Sequence, residues 1–360
     1  MKKIAILLPW IPMSPIGGYK VVYEYANRLV QDGCDVNIYY PSYIFYNNKP
    51  WYIRILGVCK AILRFIYCNI WSSAYHAKWF ALDEKVKERF VWNLSENYIT
   101  GYDIYVATSV KTAIYLNKYN NTADKYYLIQ GYEAWYDITE EILFETYRCS
   151  LKKFVISTWI KNIVEKYDPS CILLPNGFDF NFFRRYIIPE QRNKYCIAML
   201  YHENEWKGCK DGFDALKRVK ERYPQIKVNL FGVYNKPSEL PEWYNYYKSP
   251  DKDTFNKIYN ESAIFIGTSW SEGWGLTVGE AMACGCAITC TDNDGYLEMV
   301  KPNVSALVSP IKSPQTLAEN IIRLIEDDNL RYNLANRGYQ DIQKFSWDRS
   351  YEILKNTFEI

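Results

Sequence analysis

Histidine is the scarcest titratable residue of this sequence, whose 360 residues contain only His76 and His202. The ten cysteines are scattered without a C-x-x-C pair, and no histidine lies beside the cluster Cys284, Cys286 and Cys290. Zinc sites are built from cysteine and histidine at characteristic spacings, so the sequence argues against a zinc site. Scattered cysteines of this kind behave as small buried apolar residues. They indicate a reducing compartment, and we expect a cytoplasmic protein.

The sequence also lacks an excess of charge of either sign. Lysine and arginine together number 43 and aspartate and glutamate 41, which gives a formal charge of +2 at pH 7. No run of basic residues stands out, and we therefore expect no nucleic-acid partner. The apolar fraction of 49% and the charged fraction of 23% are those of a globular protein. The length suits two domains, each large enough to bury its own core.

Long hydrophobic runs are missing as well, since no stretch approaches the ~20 apolar residues of a membrane span. The apolar start is cut by Pro9 and Pro12 with no cleavage site after it, so it predicts a buried strand rather than a signal peptide. Residues 53–71 predict a helix that is apolar around most of its circumference, with Arg54, Lys60 and Arg64 on one arc. This helix fits a buried packing element, and it equally fits an interfacial helix whose basic edge meets anionic lipid.

Short apolar runs alternate with amphipathic helical patterns along the chain, which is typical of parallel α/β architecture. Two such series predict two Rossmann-like domains, residues 1–185 and 186–345, with the last helix, residues 346–360, packing back on the first domain. Helices are predicted over 211–223 and from Ser313 onward. The predicted strands are residues 4–8, 36–40, 104–107, 127–129, 154–156, 172–174, 195–200, 228–231, 263–266 and 287–289.

Three strand-to-helix loops are candidates for ligand binding, because ligands of open α/β sheets bind at the carboxyl ends of the strands. Gly17 and Gly18 follow the first strand and would let a ligand approach the backbone where a helix begins. Lys207 follows the first strand of the second domain beside a glycine, where an amine can hold a phosphate. The third loop, SEGWGLTVGE, carries Glu272 and Glu280 on either side of a glycine turn.

The third loop also allows a purely structural interpretation. Thr277 and Glu280 have the S/T-x-x-E spacing of a capping box, in which Glu280 would only satisfy the N-terminus of its own helix. Local pattern alone favours that interpretation. The same helix N-terminus, with its unpaired N–H groups and positive dipole end, would instead attract an anion such as a phosphate.

The order of these loops resembles the retaining glycosyltransferases of family 4, which have the two-domain GT-B fold. The resemblance rests on the paired glycines near the start, PNGFD at residues 175–179, the Lys207-Gly208 pair and the two glutamates around the glycine turn. It extends over nearly the whole chain, and SEGWGLTVGEAMACGCAIT at residues 271–289 shows it most strongly. KWFALDEKVKERFVWNL, IQGYEAWY and LYHENEWKGCKDG look most like bacterial enzymes that build surface polysaccharides.

The resemblance implies an α/β protein whose two Rossmann-like domains face each other with parallel sheets across a cleft. A nucleotide-sugar would lie there, with its ribose hydroxyls on Glu280 and the hydroxyls of the transferred sugar on Glu272. Lys207 and the backbone at Gly17 and Gly18 would meet the diphosphate. The turn would add backbone amides from a run of five residues, Gly273, Trp274, Gly275, Leu276 and Thr277. Sugar would pass to a glycan or lipid-linked acceptor with retention at the anomeric carbon, and no cofactor or essential metal would be needed.

The sequence departs from the family pattern at two places. Members commonly carry an arginine five residues before the lysine, where this chain has His202. The phosphate-binding charge is then lower, unless His202 is protonated or Lys210 substitutes. Many members have a histidine in a loop of the first domain, where this chain offers Tyr132 and Glu133 as candidates at the sugar.

Other functions stay open beside this one. Residues 251–253 and 292–294 match the Asp-x-Asp motif of metal-dependent GT-A enzymes, but neither ends a first Rossmann unit, so we expect no metal. No G-x-G-x-x-G follows a predicted strand, which argues against an NAD dehydrogenase. A sugar-nucleotide 2-epimerase of the same fold and a non-catalytic glycan-binding subunit are the remaining alternatives. Residues 53–71 would provide any peripheral contact with the cytoplasmic face of a membrane, and the sequence predicts no oligomeric state.

Overall fold

The structure is a computed structural model that describes residues 1–44, 51–70, 77–134 and 138–360, without the side chains of 51–54. The chain divides into two compact units. The N-unit comprises Met1–Pro175 together with Tyr351–Ile360, and the C-unit comprises Asn176–Ser350. Each unit is built on a parallel β-sheet with helices, as the alternating sequence pattern predicts.

The N-unit has a parallel sheet in the order β3-β2-β1-β4-β5-β6-β7. Its two central strands, KIAIL and IYVA, are apolar except for Lys3, because helices cover both faces of such a sheet. The strands are β1 (Lys3–Leu7), β2 (Asp35–Pro41), β3 (Lys87–Val91), β4 (Ile104–Ala107), β5 (Asp124–Ile129), β6 (Lys152–Val155) and β7 (Ile172–Leu173). The helices are α1 (Gly17–Gln31), α2 (Trp51–Ile70), α3 (Val110–Leu116), α4 (Glu140–Arg148) and α5 (Thr158–Val164).

The C-unit has a second parallel sheet, in the order β10-β9-β8-β11-β12-β13. Its strands are β8 (Cys196–Leu200), β9 (Lys227–Gly232), β10 (Tyr244–Lys248), β11 (Ile264–Gly267), β12 (Ala287–Thr291) and β13 (Ala306–Ser309). Its helices are α6 (Cys209–Arg222), α7 (Lys252–Glu261), α8 (Leu276–Ala283), α9 (Asp294–Leu297), α10 (Pro314–Glu326) and α11 (Asp328–Ile342). The last helix, α12 (Trp347–Phe358), begins in the C-unit and ends in the N-unit.

All ten predicted strands overlap strands of the structure, but β3, β10 and β13 were not predicted. β3 and β10 are the outer strands of their sheets, with the sequences KERFV and YNYYK. Each of these two strands has a neighbour on one side only and carries polar residues, so neither has the continuous apolar run that marks a central strand. β13 is the short outer strand at the opposite end of its sheet.

Each sheet has a topological switch point, which is a pair of neighbouring strands from whose carboxyl ends the chain leaves in opposite directions. In the N-unit these strands are β1 and β4, and in the C-unit they are β8 and β11. Ligands of open parallel sheets bind outside the carboxyl ends of such strands. The loops after β1, β8 and β11 are the three candidate loops of the sequence, so the topology puts each of them beside a switch point.

The division between the units lies at residues 175/176, ten residues before the predicted boundary at 185/186. The segment after Pro175 packs within the C-unit: the Phe178 amide donates a hydrogen bond to the Phe345 carbonyl oxygen at 2.9 Å. The Phe178 ring also lies against α8, where a Cβ added to Gly279 would stand 2.1 Å from its Cζ atom. The rise in polar residues near 185 therefore marks a loop inside the C-unit and not the boundary.

The end of α12 belongs to the N-unit, in line with the expected return of the chain. The Tyr351 hydroxyl donates a hydrogen bond to the Arg28 carbonyl oxygen at 3.2 Å, and Lys355 Nζ lies 2.6 Å from Asp32 Oδ2. The Phe358 ring packs on Tyr126, with centroids 4.8 Å apart. These contacts attach the last ten residues to α1 and to the sheet of the N-unit.

α2 corresponds to the predicted helix over residues 53–71 and packs on the N-unit through a narrow face only. Ala61 and Cys68 are buried, whereas Leu63 and Ile70 are 69% and 66% exposed. A buried helix is therefore wrong for the described side chains, whereas a domain-packing helix and an interfacial helix both stay predictions. Among the described residues, no helix is both long and apolar enough to cross a membrane.

Candidate functional site

The loops after β8 and β11 bring two of the predicted site residues into direct contact. Lys207 Nζ lies 2.8 Å from Glu272 Oε1, and the two side chains are 22% and 16% exposed. The sequence predicted each residue for a different part of a donor, a phosphate for the lysine and a sugar for the glutamate. The structure shows one partly buried ion pair, which presents a cation and a carboxylate side by side at the switch point of the C-unit.

Lys207 is positioned by the glycine that follows it. Gly208 has φ +61°, and a Cβ at this position would stand 2.1 Å from the Thr268 carbonyl oxygen. The Thr268 hydroxyl in turn donates a hydrogen bond to the Lys207 carbonyl oxygen at 2.7 Å. The loop after β8 is therefore fixed directly on the end of β11, a contact that any residue with a Cβ at position 208 would disrupt.

Glu272 is held by a small polar network that the sequence analysis did not identify. The Ser269 hydroxyl donates to Glu272 Oε1 at 2.7 Å, so this oxygen receives both Ser269 and Lys207. The Ser269 carbonyl oxygen accepts hydrogen bonds from Thr291 Oγ1 and from Asn293 Nδ2. Ser269 follows β11, and the other two residues end or follow β12, its neighbour in the sheet. The sequence signal that could have identified this network is the presence of polar residues after two adjacent strands.

Glu280 does not form the capping box that its spacing with Thr277 suggests. The helix α8 begins at Leu276, with Gly275 as N-cap at φ +93° and no side-chain cap, so Thr277 lies inside the helix. Glu280 is 3% exposed, and its Oε2 atom accepts a hydrogen bond from the Tyr259 hydroxyl at 3.2 Å. The structural interpretation of this motif is therefore wrong, and Glu280 is a buried carboxylate directed toward α7.

The turn between the two glutamates is shaped by glycine. A Cβ on Gly275 would stand 2.5 Å from the Tyr296 ring, in addition to the strain of its positive φ. The Trp274 ring is buried edge-on against Phe345, with centroids 5.1 Å apart. The Trp274 Nε1 atom has no hydrogen-bond partner among the described residues, and Gly273, Leu276 and Thr277 precede or open α8.

His202 lies in the loop after β8 and is neutral at pH 7. Burial and, to a smaller extent, the nearby Lys207 cation lower its pKa from the usual 6.5 to about 4. Nδ1 accepts a hydrogen bond from the Asn204 amide at 3.0 Å, so the ring proton resides on Nε2, which faces the Tyr234 hydroxyl oxygen at 3.3 Å. His202 thus supplies no positive charge in place of the family arginine. Lys210 is exposed in the first turn of α6.

The low pKa of His202 predicts a specific dependence of stability on pH. The unfolded chain binds a proton on this imidazole near pH 6.5, and the folded chain binds it only near pH 4. The contribution of the neutral His202 side chain to the free energy of unfolding is therefore present above pH 6.5 and is lost as the pH falls toward 4. We expect the melting temperature of the wild type to fall more steeply than that of His202→Asn between about pH 7.5 and pH 4.5. Parallel slopes in the two melting series would contradict a buried neutral imidazole.

The two glycines of the N-unit lie where the sequence places them, at the start of α1. Gly17 is the first residue of α1, and no side chain caps this helix. A Cβ on Gly18 would stand 3.3 Å from the side-chain amide of Gln130, which follows β5. The Gln130 Oε1 atom is buried without a hydrogen-bond partner among the described residues. This N-terminus thus combines a helix start that no side chain caps with a close approach of two loops.

Tyr132 and Glu133 have partners inside the N-unit. Glu133 Oε2 accepts a hydrogen bond from the Val110 amide at 2.8 Å, at the first turn of α3, and burial raises the pKa of its carboxyl to about 7. The Tyr132 hydroxyl donates to Glu140 Oε1 at 2.5 Å, and burial raises the pKa of the phenol to about 12. Both side chains therefore order the loop after β5, and a role at the sugar stays a prediction.

The two Asp-x-Asp matches lie at helix N-termini. Asp251 caps α7 by accepting the Thr254 amide at 2.8 Å, and Asp294 is the first residue of α9 behind its cap, Asn293. These local roles give a structural reason for both motifs. The expected independence from metal stays a prediction.

Comparison with known proteins finds similarity in the part of the chain that contains these residues. The sequence model of the family described as "Glycosyl transferases group 1" matches residues 183–341, which include Lys207, Glu272 and Glu280. A diphospho-undecaprenol N-acetylgalactosaminyltransferase of Campylobacter jejuni is 26% identical over 244 residues, 61% of this chain and 64% of that protein. The family model and these relatives support a GT-B glycosyltransferase. This finding agrees with the family resemblance that the motifs of the sequence indicate.

Solved structures confirm the GT-B fold over the whole chain. Anabaena HepE, solved in complex with UDP and glucose, matches with a TM-score of 0.75 and covers 100% of both chains at 15% identity. Sucrose-phosphate synthase from Thermosynechococcus elongatus matches with a TM-score of 0.73, covering 100% of this chain and 98% of that one, also at 15% identity. A phosphatidyl-myo-inositol mannosyltransferase of Mycobacterium tuberculosis is 22% identical over 199 residues, about half of each chain.

Proposed function

We propose that the protein transfers a sugar from a nucleoside-diphosphate sugar to a lipid-linked or glycan acceptor, with retention at the anomeric carbon. The observation that carries this proposal is the Lys207–Glu272 pair, 2.8 Å apart at the switch point of the C-unit and just before α8. A lysine beside a carboxylate offers a cation for a departing diphosphate and an acceptor for sugar hydroxyls. The N-terminus of α8 has no side-chain cap and no acidic residue in its first turn, which favours an anion there.

The proposed reaction needs little covalent participation by the protein. The bond between the anomeric carbon and the diphosphate oxygen breaks, and the acceptor oxygen forms its bond to the same face of the sugar. The acceptor proton passes to the leaving phosphate, so no dedicated basic side chain is required. Lys207 and the amides before α8 stabilise the negative charge that develops on the diphosphate. Glu272 orients the sugar through its hydroxyls, and Glu280 accepts from the ribose.

The relatives support the substrate classes. One relative is named for a diphospho-undecaprenol acceptor, another for a phosphatidyl-myo-inositol acceptor, and HepE was solved with UDP and glucose. We therefore propose a lipid-linked acceptor ahead of a free glycan, use in surface polysaccharide synthesis, and action at the cytoplasmic side of a membrane. The matched region spans only 64% of the Campylobacter protein, so that relative is not sufficient support by itself. The proposal therefore also depends on the site residues of this chain.

A product analysis tests the proposal. The full chain is incubated with UDP-, GDP- and dTDP-sugars, with and without undecaprenyl-diphosphate-linked sugar, and released nucleoside diphosphate and glycosylated lipid are measured. We expect release that depends on the acceptor and persists in EDTA, and an α-configured product from an α-linked donor by NMR. Release without acceptor together with an isomerised sugar would indicate a 2-epimerase. Binding without any release would indicate a glycan-binding subunit, and either result overturns the proposal.

A further inference from the structure

One side of α2 is an exposed apolar face. At 100° per residue its members occupy an arc of about 140° that contains no charged residue. The face consists of seven residues that are 44–69% exposed, namely Ile55, Leu56, Ile62, Leu63, Ile66, Tyr67 and Ile70. Single exposed hydrophobic residues are ordinary, but a contiguous row of this size marks a surface that contacts something other than water.

The border of this face is basic and aromatic. α2 contains no Asp or Glu, and Lys60 is exposed at the edge of the apolar arc. Arg64, one turn further, has its guanidinium 3.8 Å from the centroid of the Trp10 ring and donates to the Ser42 carbonyl oxygen at 3.1 Å. Trp10 is 36% exposed and Met13, in the same loop, is 81% exposed. The apolar face, Lys60, Arg64, Trp10 and Met13 together form what we call the α2 surface.

We propose that the α2 surface binds the interface of an anionic lipid bilayer, with α2 lying in the membrane plane. Because the opposite side of α2 packs on the N-unit, the apolar face can enter only the boundary between headgroups and acyl chains. Lys60 and Arg64 then lie at the level of the lipid phosphates, and Trp10 takes the interfacial position that tryptophan favours. Two cations, Lys60 and Arg64, on a helix without acids match a negatively charged membrane, and they disfavour a second copy of the same surface.

The α2 surface is connected to the loop that precedes α1. The Trp10 amide donates to the Tyr19 hydroxyl at 3.1 Å, and that hydroxyl donates to the Trp10 carbonyl oxygen at 2.8 Å. Tyr19 directly follows Gly17 and Gly18 in α1. Binding at the α2 surface would therefore bring the glycine loop close to the membrane, where a lipid-linked acceptor resides. Only this last step rests on the proposed function.

Vesicle co-sedimentation of the full chain tests the α2 surface without donor or acceptor. The vesicles are phosphatidylcholine alone or phosphatidylcholine mixed with phosphatidylglycerol. We expect binding to the mixed vesicles, and Leu63→Gln with Ile66→Gln should weaken it at least about tenfold. The matched control is Ile188→Gln with Ile311→Gln, which are 47% and 41% exposed in the C-unit and should leave binding unchanged. All four residues are exposed, so melting temperatures should stay close to that of the wild type.

The charge at the border is tested by a second pair of variants. Lys60→Glu should weaken binding to the mixed vesicles at least about fivefold. Lys217→Glu, an exposed position on α6 of the C-unit, should not. Equal binding by the α2 variants and their controls would overturn the inference, as would equal binding to neutral and anionic vesicles. A dimer in light scattering that only the Leu63/Ile66 variant dissociates would likewise overturn it in favour of a contact between copies.

The two proposals fail separately. Absence of vesicle binding overturns the α2 surface and leaves sugar transfer to a detergent-dispersed acceptor untouched. Absence of transfer, with binding to anionic vesicles intact, overturns the proposed function and leaves the surface.

Discussion

Lys207→Ala is expected to lower kcat/KM for sugar transfer by about 100-fold or more, because it removes the cation beside the leaving diphosphate. A preorganised donor at a developing oxyanion contributes this much in enzymes whose single donors have been deleted. The amine is also the partner of Glu272 at 2.8 Å, so its loss leaves this carboxylate without its cation where the diphosphate would bind. Steady-state kinetics with the donor identified by product analysis measure the effect.

Two further variants separate charge on the leaving group from general damage. Lys217→Ala removes an exposed lysine from α6 of the C-unit and should leave kcat/KM unchanged. Glu272→Gln releases Lys207 from its ion pair while keeping an amide for sugar hydroxyls. We expect it to bind free nucleoside diphosphate as tightly as the wild type or more tightly, with a lower kcat. If Lys207→Ala kept wild-type kinetics, or if Glu272→Gln weakened nucleoside diphosphate binding as strongly, the assigned division of roles would be wrong.

The Lys207–Glu272 pair shows how far sequence reasoning extends. The two loops are visible in a one-dimensional pattern because each has a glycine beside a polar residue at the end of a strand, and the roles of Lys207 and Glu272 came from the family resemblance. Their contact was not predicted, because it joins residues 65 positions apart through the order of β8 and β11 in the sheet. The same holds for Ser269, whose carbonyl oxygen is held from the end of β12.

The incorrect predictions have the same origin, because each depends on a contact between segments that are distant in the sequence. The helix α8 starts one residue before Thr277 because Gly275 adopts a left-handed conformation packed on Tyr296, and the capping-box spacing depends on that single residue. The strands β3 and β10 lack the apolar run because each is an outer strand. The domain boundary was placed late because Phe178, which looks like part of the first domain, packs against Gly279 of α8. In each case a contact between distant segments decides what local pattern leaves open.

Glu280→Gln is expected to weaken nucleotide binding by about 10- to 100-fold, because hydrogen bonds to a charged acceptor contribute about 1.5–3 kcal/mol each. Glu280 is 3% exposed and does not cap its own helix. Capping therefore does not explain why this carboxylate lies behind the glycine turn. Isothermal titration calorimetry with nucleoside diphosphates measures the affinity, and thermal melting measures stability on the same samples. Undiminished affinity with only a lower melting temperature would assign Glu280 to packing.

Tyr259→Phe is the matched control for Glu280, since it removes the hydroxyl that donates to Glu280 Oε2 at 3.2 Å and keeps the carboxylate. A buried hydrogen bond of this kind contributes to stability, so the melting temperature of this variant should fall. Its nucleotide affinity should stay close to that of the wild type, because the charge that accepts the ribose is still present. If Tyr259→Phe and Glu280→Gln weaken nucleotide binding equally, the carboxylate acts by positioning α8. A difference of about tenfold or more between them places Glu280 in contact with the nucleotide.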